Sequence, residues 1–469
     1  MSDVKEKSVG AKLEESLAYK KENFFETSSD EKISKAYEYA VGYADFLDNA
    51  KTEREAVKYA ERYAESKGFK PYVFGETLKA GDKKYFSNRG KSFIMFKVGS
   101  EDMAQHGIKV LASHVDSPRL DIKQVPLYED SGMAFLKTHY YGGIKKYQWT
   151  AIPLALHGVV TLEDGKTVSV VVGEDDNDPV FYINDLLPHL AREQVTKPLA
   201  SAIDGETLNV LVGGYPFKDE DVKEKVKLTV LQKLNERYGM KESDFISAEL
   251  CAVPAFKARD VGFDRALVGG YGHDDRVCSY PAMTALGESK DTLHTVVVVL
   301  ADKEEIGSEG VSGMQCEIFS DLVDFLAASQ GKPSSLVRLS SKCLSADVTA
   351  GYDPNFASVF EKKNSSIVSC GTALCKFTGA GGKSGSSDAS AELVGEVRRI
   401  FNEAGVNWQM AELGKVDAGG GGTVAKYIAK LNIDTIDIGV PVISMHSPYE
   451  VISKADLYST YEAFSAFIK

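Results

Sequence analysis

From Glu31 to about Lys67 apolar residues recur at helical intervals: Ile33, Tyr37, Ala40 and Val41, then Ala56, Tyr59, Ala60 and Tyr63. The spacing predicts two helices, with Gly68 ending the second. Ser92 to Val98 and Ile108 to Ser113 read instead as short strands. The second runs straight into His114 and Asp116, the strand-end position where open α/β sheets place active-site residues. Between about Pro126 and Gly262 the character changes to alternating segments such as 158–161 and 167–172, many turn residues and the polar stretch EDDNDP at 174–179. This block predicts a separate, β-rich unit. After Asp264 strands and helices alternate again: a helix after Asp275, a strand over 295–300, helices near 319–328 and 389–403, a strand over 435–438 and a last helix over 454–467. Strands separated by helices imply a sheet covered on both faces. The expected fold class is therefore α/β, a central mixed sheet flanked by helices. Residues 1–125 and 262–469 would form this domain, interrupted by an inserted β-rich domain over 126–261.

Composition narrows the function. A chain of 469 residues that is 43% hydrophobic and 26% charged is ordinary globular material. Its net charge of -13, with no Lys/Arg stripe interleaved with aromatics, excludes a general nucleic-acid binder, which needs clustered cations to release counterions. Apolar runs such as Val296 to Ala301 are far short of the roughly 18 residues of a membrane span. The opening MSDVKEKSVGAKLEESL lacks the continuous apolar stretch of an export signal, so the expected location is cytoplasmic. Six cysteines without a Cys-x-x-Cys pair indicate neither a disulfide framework nor a cysteine zinc site.

Five segments place acids or histidines after strands or in loops: LASHVDSPRLD (111–121), GGYGHDDRVCSY (269–280), LADKEEIGSEG (300–310), LSADVTAGYDPNF (344–356) and ISMHSPYE (443–450). Singly, each has a bland reading, since an Asp-Asp is usually a helix cap and a Glu-Glu a solvated turn. Together, two histidines and several carboxylates on separate strand ends, with no cysteine, are the ligand set for a pair of zinc-like ions. One carboxylate would bridge the ions, and another that is not a ligand would take the proton of the attacking water. Glu304 and Glu305 fit that division, because adjacent side chains at a strand end point different ways. Asp116, two residues beyond His114, is placed to orient that imidazole.

The order HVDSP, GHDDR, KEEIGS, SADV and MHS resembles the M18 family of metallo-aminopeptidases over almost the whole chain. The resemblance implies two divalent ions, zinc first with cobalt or manganese also accepted. It makes His114 a terminal ligand oriented by Asp116, Asp274 the bridge, Glu304 the general base and Glu305 a terminal ligand. Asp347 would share one ion with His114, and His446 the other with Glu305. It implies that the inserted domain mediates dimerisation, that dimers build a twelve-subunit shell, and that His189 in LLPHLAREQ reaches a neighbouring subunit's site. There it would contact substrate or serve as an additional metal-site histidine.

Three departures bear on specificity. His273-Asp274-Asp275 stands where many relatives have Leu-Asp-Asn, giving Asp275 a supporting role; VTAGYDPNF lacks a histidine that acid-specific members carry; and WTAIPLALHG (149–158) lacks their charged residues. An acidic N-terminal residue is thus not implied. Lys383 reads as a solvent-exposed lysine of a flexible Gly/Ser loop (379–387), and the run GGGG at 419–422 as a close approach of backbone to peptide or sheet. The expected activity is release of N-terminal residues from peptides. A two-metal deacylase or carboxypeptidase, or an inactive shell-forming scaffold, is the alternative.

Overall fold

A nine-stranded mixed sheet runs in the order Lys70–Pro71, Lys83–Asn88, Ser92–Lys97, Thr295–Ala301, Ile108–His114, Lys342–Ala346, Asp434–Gly439, Thr372–Cys375 and Trp408–Met410 in the computed structural model, which describes residues 7–290 and 292–469. The four strands from Thr295–Ala301 to Asp434–Gly439 are parallel to one another. Their carboxyl ends therefore share one edge. Along Thr295–Ala301, Val296, Val298 and Leu300 enter one core while Val297, Val299 and Ala301 enter another. Helices cover both faces, which is why this strand reads as continuously apolar rather than alternating.

The first core takes helices Asp30–Asn49, Glu53–Ser66, His273–Glu288, Ala391–Glu403 and Lys454–Phe467; the second takes Ile318–Ser329, Ser334–Ser340 and Ala425–Ala429. Helix starts follow local chemistry. Ser29 accepts from Lys32 N, and Thr52 with Glu55 forms a reciprocal capping box that separates the first two long helices. The buried stripe of Asp30–Asn49 is Ala36, Ala40, Tyr43, Phe46 and Leu47, whereas Val41, counted to the apolar face from sequence, is 71% exposed. The two sit on opposite sides of the helix, and the larger aromatic residues decide which side is buried.

A second, wholly antiparallel sheet of seven strands runs Thr167–Val172, Leu154–Thr161, Ala248–Pro254, Arg119–Asp130, Met133–Tyr141, Val210–Gly213, Tyr182–Ile183, around its own core. Strand Arg119–Asp130 runs through the expected boundary at 125/126 and shifts register there, between Ile122 and Leu127. The block is not strands alone. Helix Lys225–Tyr238 buries Val226 and packs Val230, Leu231 and Leu234 on the same core before Gly239 ends it in a left-handed conformation. A third, five-stranded sheet, Arg259–Val261, Leu267–Gly270, Glu450–Ser453, Pro441–Ile443, Thr349–Ala350, was not anticipated. It sets Glu450–Ser453, which follows His446, between Leu267–Gly270, which leads into Asp274, and Pro441–Ile443, which leads into His446.

Phe401 is fully buried in the first core. Phe401→Ala is expected to cost about 3–5 kcal/mol through the cavity it leaves. The check is a lower urea midpoint at an unchanged slope.

Candidate active site

His114 ends its strand, Glu304 and Glu305 follow Thr295–Ala301 on a 3-10 turn, and Asp347 follows Lys342–Ala346. Three neighbouring parallel strands thus deliver them to one edge. Asp274 and His446 arrive from the third sheet. His114 Nε2 lies 3.3 Å from Asp274 Oδ1 and 3.6 Å from Asp347 Oδ1, and 3.9 Å from Glu304 Oε2. His446 Nε2 lies 3.1 Å from Asp274 Oδ2 and 3.5 Å from Glu305 Oε2. The two oxygens of Asp274 therefore face different imidazoles.

Both tautomers are set from behind. His114 Nδ1 donates to the carbonyl of Asp116 at 3.0 Å, and His446 Nδ1 donates to the carbonyl of Gly143 at 2.8 Å. Each ring thereby turns its Nε2 lone pair toward the carboxylates. The Asp116 carboxylate accepts from Glu304 N at 3.1 Å, from Glu305 N at 3.2 Å and from Tyr141 Oη at 2.8 Å, and lies 3.2 Å from His114 Nδ1. Burial opposes its charge, but His114 and Tyr141 outweigh that and hold it below the usual carboxylate range.

Glu450 makes a second hub. It is buried, and it accepts from His446 N at 2.6 Å and Asp274 N at 3.2 Å. His446 sits at φ +65, a left-handed conformation rare outside glycine, and the Glu450 bond helps to hold it there. Ser117 Oγ donates to the Asp274 carbonyl at 2.5 Å and Ser279 Oγ to that of His114 at 2.7 Å. The Asp274–Asp275 peptide is cis. Asp275 accepts from His114 N at 3.3 Å.

The electrostatics are those of crowded acid. Burial pushes Glu304 up to about 8, with Asp347 adding to the rise. Burial likewise raises Glu305, Asp347 and Asp275, and in each a neighbouring Asp adds to it. Against burial, Asp274 and Glu305 lift His446 to about 10, while Asp116, Asp274 and Asp347 lift His114 well above its usual range. His114 Nε2, Asp274 Oδ1 and Glu305 Oε1 are nevertheless buried without a hydrogen-bond partner. Unpartnered nitrogen and oxygen donors amid excess negative charge suit a divalent cation. Two overlapping groups, His114 with Asp275 and Asp347 and His114 with Asp274 and Glu305, each gather ligand atoms within 4.8 Å.

The cluster opens into a cavity of about 340 Å³, walled further by Val348, Thr349, Cys375, Thr378, Leu413, Met445 and the glycines 420–422. A Cβ at Gly419 would collide with the Leu413 carbonyl, and one at Gly420 with the backbone of Ala380, so the first two glycines are close backbone approaches between loops, whereas Gly421 has open space beside it and lines the cavity with Gly420 and Gly422. Thr423 Oγ1 donates to buried Asp437 at 2.6 Å beside it. Lys383 stays outside, exposed, paired with Asp388 at 3.1 Å and lying over Phe377. His189 is exposed on the turn Pro188–Leu190 and is not among the cavity's lining residues in its own chain. The remaining histidines have other partners or positions. His273 donates to or accepts from Tyr43 at 2.7 Å, His157 bridges Glu55 and Glu174, and neither lines the cavity. Sequence reasoning missed Glu450, though it closes the quoted segment MHSPYE, and also Tyr141 and Gly143, whose only signal is the turn-forming Gly-Gly.

Residues 46–468 match the family described as aminopeptidase I zinc metalloprotease (M18). A curated relative from Clostridium acetobutylicum, "Probable M18 family aminopeptidase 1", is 48% identical over 95% of this chain and 97% of its own length. The crystal structure of an M18 aminopeptidase from Thermotoga maritima superposes with a TM-score of 0.91 at 41% identity, covering 96% of this chain and 99% of that one. The S. cerevisiae mApe1 dodecamer, at 23% identity, shares the fold with a TM-score of 0.74 over 91% of this chain and 95% of its own. The chain belongs to the M18 family of aminopeptidase I zinc metalloproteases and is a zinc-dependent aminopeptidase.

Proposed function

We propose that the enzyme works with two divalent ions, zinc first, with cobalt or manganese also suited to the donor set. The observation that carries this is Asp274, whose two oxygens face His114 and His446 separately. His114 and Asp347 would hold one ion, His446 and Glu305 the other, and Asp274 both. Asp275 supports from behind through the His114 backbone. When bound, the ions supply Lewis acidity toward the scissile carbonyl and toward water.

Glu304 is the general base. Its carboxylate lines the cavity and lies 3.9 Å from His114 Nε2, farther than those of Asp274 and Asp347. It takes a proton from the attacking water at a carboxylate oxygen and returns it to the leaving amine, while water adds to the carbonyl carbon and the C–N bond breaks. Asp116 fixes the turn that carries Glu304 and Glu305 by accepting from both of their backbone N–H groups, one residue to move a proton and the other to bind. The aminopeptidase assignment displaces the deacylase, carboxypeptidase and scaffold readings.

The cavity favours a neutral N-terminal side chain. Among the described lining residues none is Lys or Arg, and the wall beyond the cluster is Val348, Leu413, Ile438, Met445, Cys375, the glycines 420–422, Thr349, Thr378 and Thr423, and the acidic Asp437. Nothing there would offset an acidic side chain's desolvation.

The inserted block expected over 126–261, whose seven-stranded sheet begins with Arg119–Asp130 and ends with Ala248–Pro254, acts as the dimerisation domain of a catalytic domain formed by the chain on either side. Around His189, Leu186, Leu187, Leu190, Val195 and Leu199 are all exposed, an apolar segment that a second copy would cover. His189 would then reach the partner's substrate in a dimer-based dodecamer acting on peptides. Among the described residues no helix is long and apolar enough to cross a membrane, in keeping with a cytoplasmic location.

Glu304→Gln should keep metal content and lower kcat by about 10²–10⁴-fold; full activity would remove Glu304 as the base. Leucyl amides should exceed aspartyl amides in kcat/KM by about tenfold or more, a lower bound on the cost of desolvating an unpaired carboxylate. The reverse order, measured on metal-replete enzyme, would refute the neutral preference. For His189 acting in trans, co-assembled Glu304→Gln and His189→Ala protomers should recover about a quarter of the wild-type activity per chain, since half of randomly paired dimers hold one intact site. No recovery would place His189 outside the neighbour's chemistry.

A further inference from the structure

Strand Met133–Tyr141 belongs to the seven-stranded sheet, yet the tripeptide at its end touches both halves of the metal cluster. Tyr141 Oη donates to Asp116 Oδ2 at 2.8 Å, and Asp116 in turn orients His114. Two residues on, the Gly143 carbonyl accepts from His446 Nδ1 at 2.8 Å. Between them Gly142 has φ +73, and a Cβ there would stand 3.3 Å from both Cβ and Oε2 of Glu305. A Cβ on Gly143 would stand 3.4 Å from His446 Nδ1. Tyr141 is itself held, with the Arg119 guanidinium 4.1 Å over its ring and Arg119 paired to Glu53 at 2.8 Å.

We infer that Tyr141-Gly142-Gly143 is a positioning clamp through which the seven-stranded sheet sets the affinity of both metal positions, Tyr141 acting on the His114 position and Gly142 with Gly143 on the His446 position. The reason is geometric. A ligating imidazole holds its cation in proportion to how firmly its other nitrogen is bonded. For His446 that bond goes straight to the clamp, and for His114 it passes through Asp116. Tyr141 is one of four donors around the Asp116 carboxylate, and the only side chain among them that comes from the second sheet. Gly142 leaves the space that Glu305 occupies. The arrangement makes the relative placement of the two sheets a determinant of metal binding.

This inference rests on the two-ion reading above. The test is stepwise zinc titration of the metal-free full-length enzyme against a chromophoric chelator. Wild type should bind two ions per chain; one ion would overturn the two-ion reading itself. Given two, Tyr141→Phe should weaken one ion about 10–100-fold, the usual cost of losing such a partner, and Gly142→Ala the other. Repeating each in Asp347→Asn and His446→Ala backgrounds, which spare opposite positions, identifies the ion affected. The phenylalanine keeps the ring under Arg119, so packing persists while the hydroxyl is lost. Cobalt-substituted Tyr141→Phe should also show a shifted visible spectrum. Two ions bound with both affinities and the spectrum unmoved, even if thermal stability falls, would reduce the tripeptide to a structural contact.

Discussion

Buried acid without enough base governs this molecule. Asp274, Asp275, Glu304, Glu305 and Asp347 converge where water is largely excluded, with His114 and His446 as the imidazoles among them. Two like charges about 4 Å apart repel by about 4 kcal/mol even at an effective dielectric constant of 20. Left alone, such a group keeps protons, which is the direction in which burial and neighbouring Asp residues move Glu304, Glu305, Asp275 and Asp347. Divalent cations reverse that balance and convert mutual repulsion into a ligand sphere. The fold must therefore supply enough rigidity to hold these groups together before a cation arrives.

That rigidity comes from two carboxylates that are not proposed as ligands. Asp116 gathers the strand after His114 and the turn of Glu304 and Glu305; Glu450 gathers the Asp274 loop and the left-handed His446. Each satisfies backbone N–H groups that have no sheet partner, as buried donors require. The parallel strands fix positions to within a residue. These two acids then fix the direction in which each functional side chain points.

Much of this was legible along the chain. The Thr295–Ala301 strand, the Ile108–His114 strand, the closing helix and the acids at strand ends follow from apolar runs that exceed any competing signal. What was illegible is short or relational. The third sheet is built from pieces of two to four residues, too brief for alternation to register. Glu450 looks like any strand-initial acid until pairing with Leu267–Gly270 places it beneath Asp274. Tyr141 and Gly143 matter only because another sheet lies against them. The helix Lys225–Tyr238 is a different case, since its apolar residues do recur at helical spacing, but the surrounding turns and strands drew the whole block toward β.

The pairing of Ile108–His114 with Thr295–Ala301 has a kinetic side. These neighbours lie some 187 positions apart in sequence, as the register of Ile108 with Thr295 shows. Most of the chain between them builds the seven-stranded sheet, whose last strand in sequence, Ala248–Pro254, precedes Thr295 and whose core is its own, although pairings such as Cys251 with Asp121 are themselves distant. On a ribosome, the intervening unit is complete at Pro254 and can collapse before Thr295–Ala301 and the two glutamates that follow it have been synthesised. The catalytic edge is then assembled around a neighbour that is already folded. On that order, the site would be completed only after its neighbour.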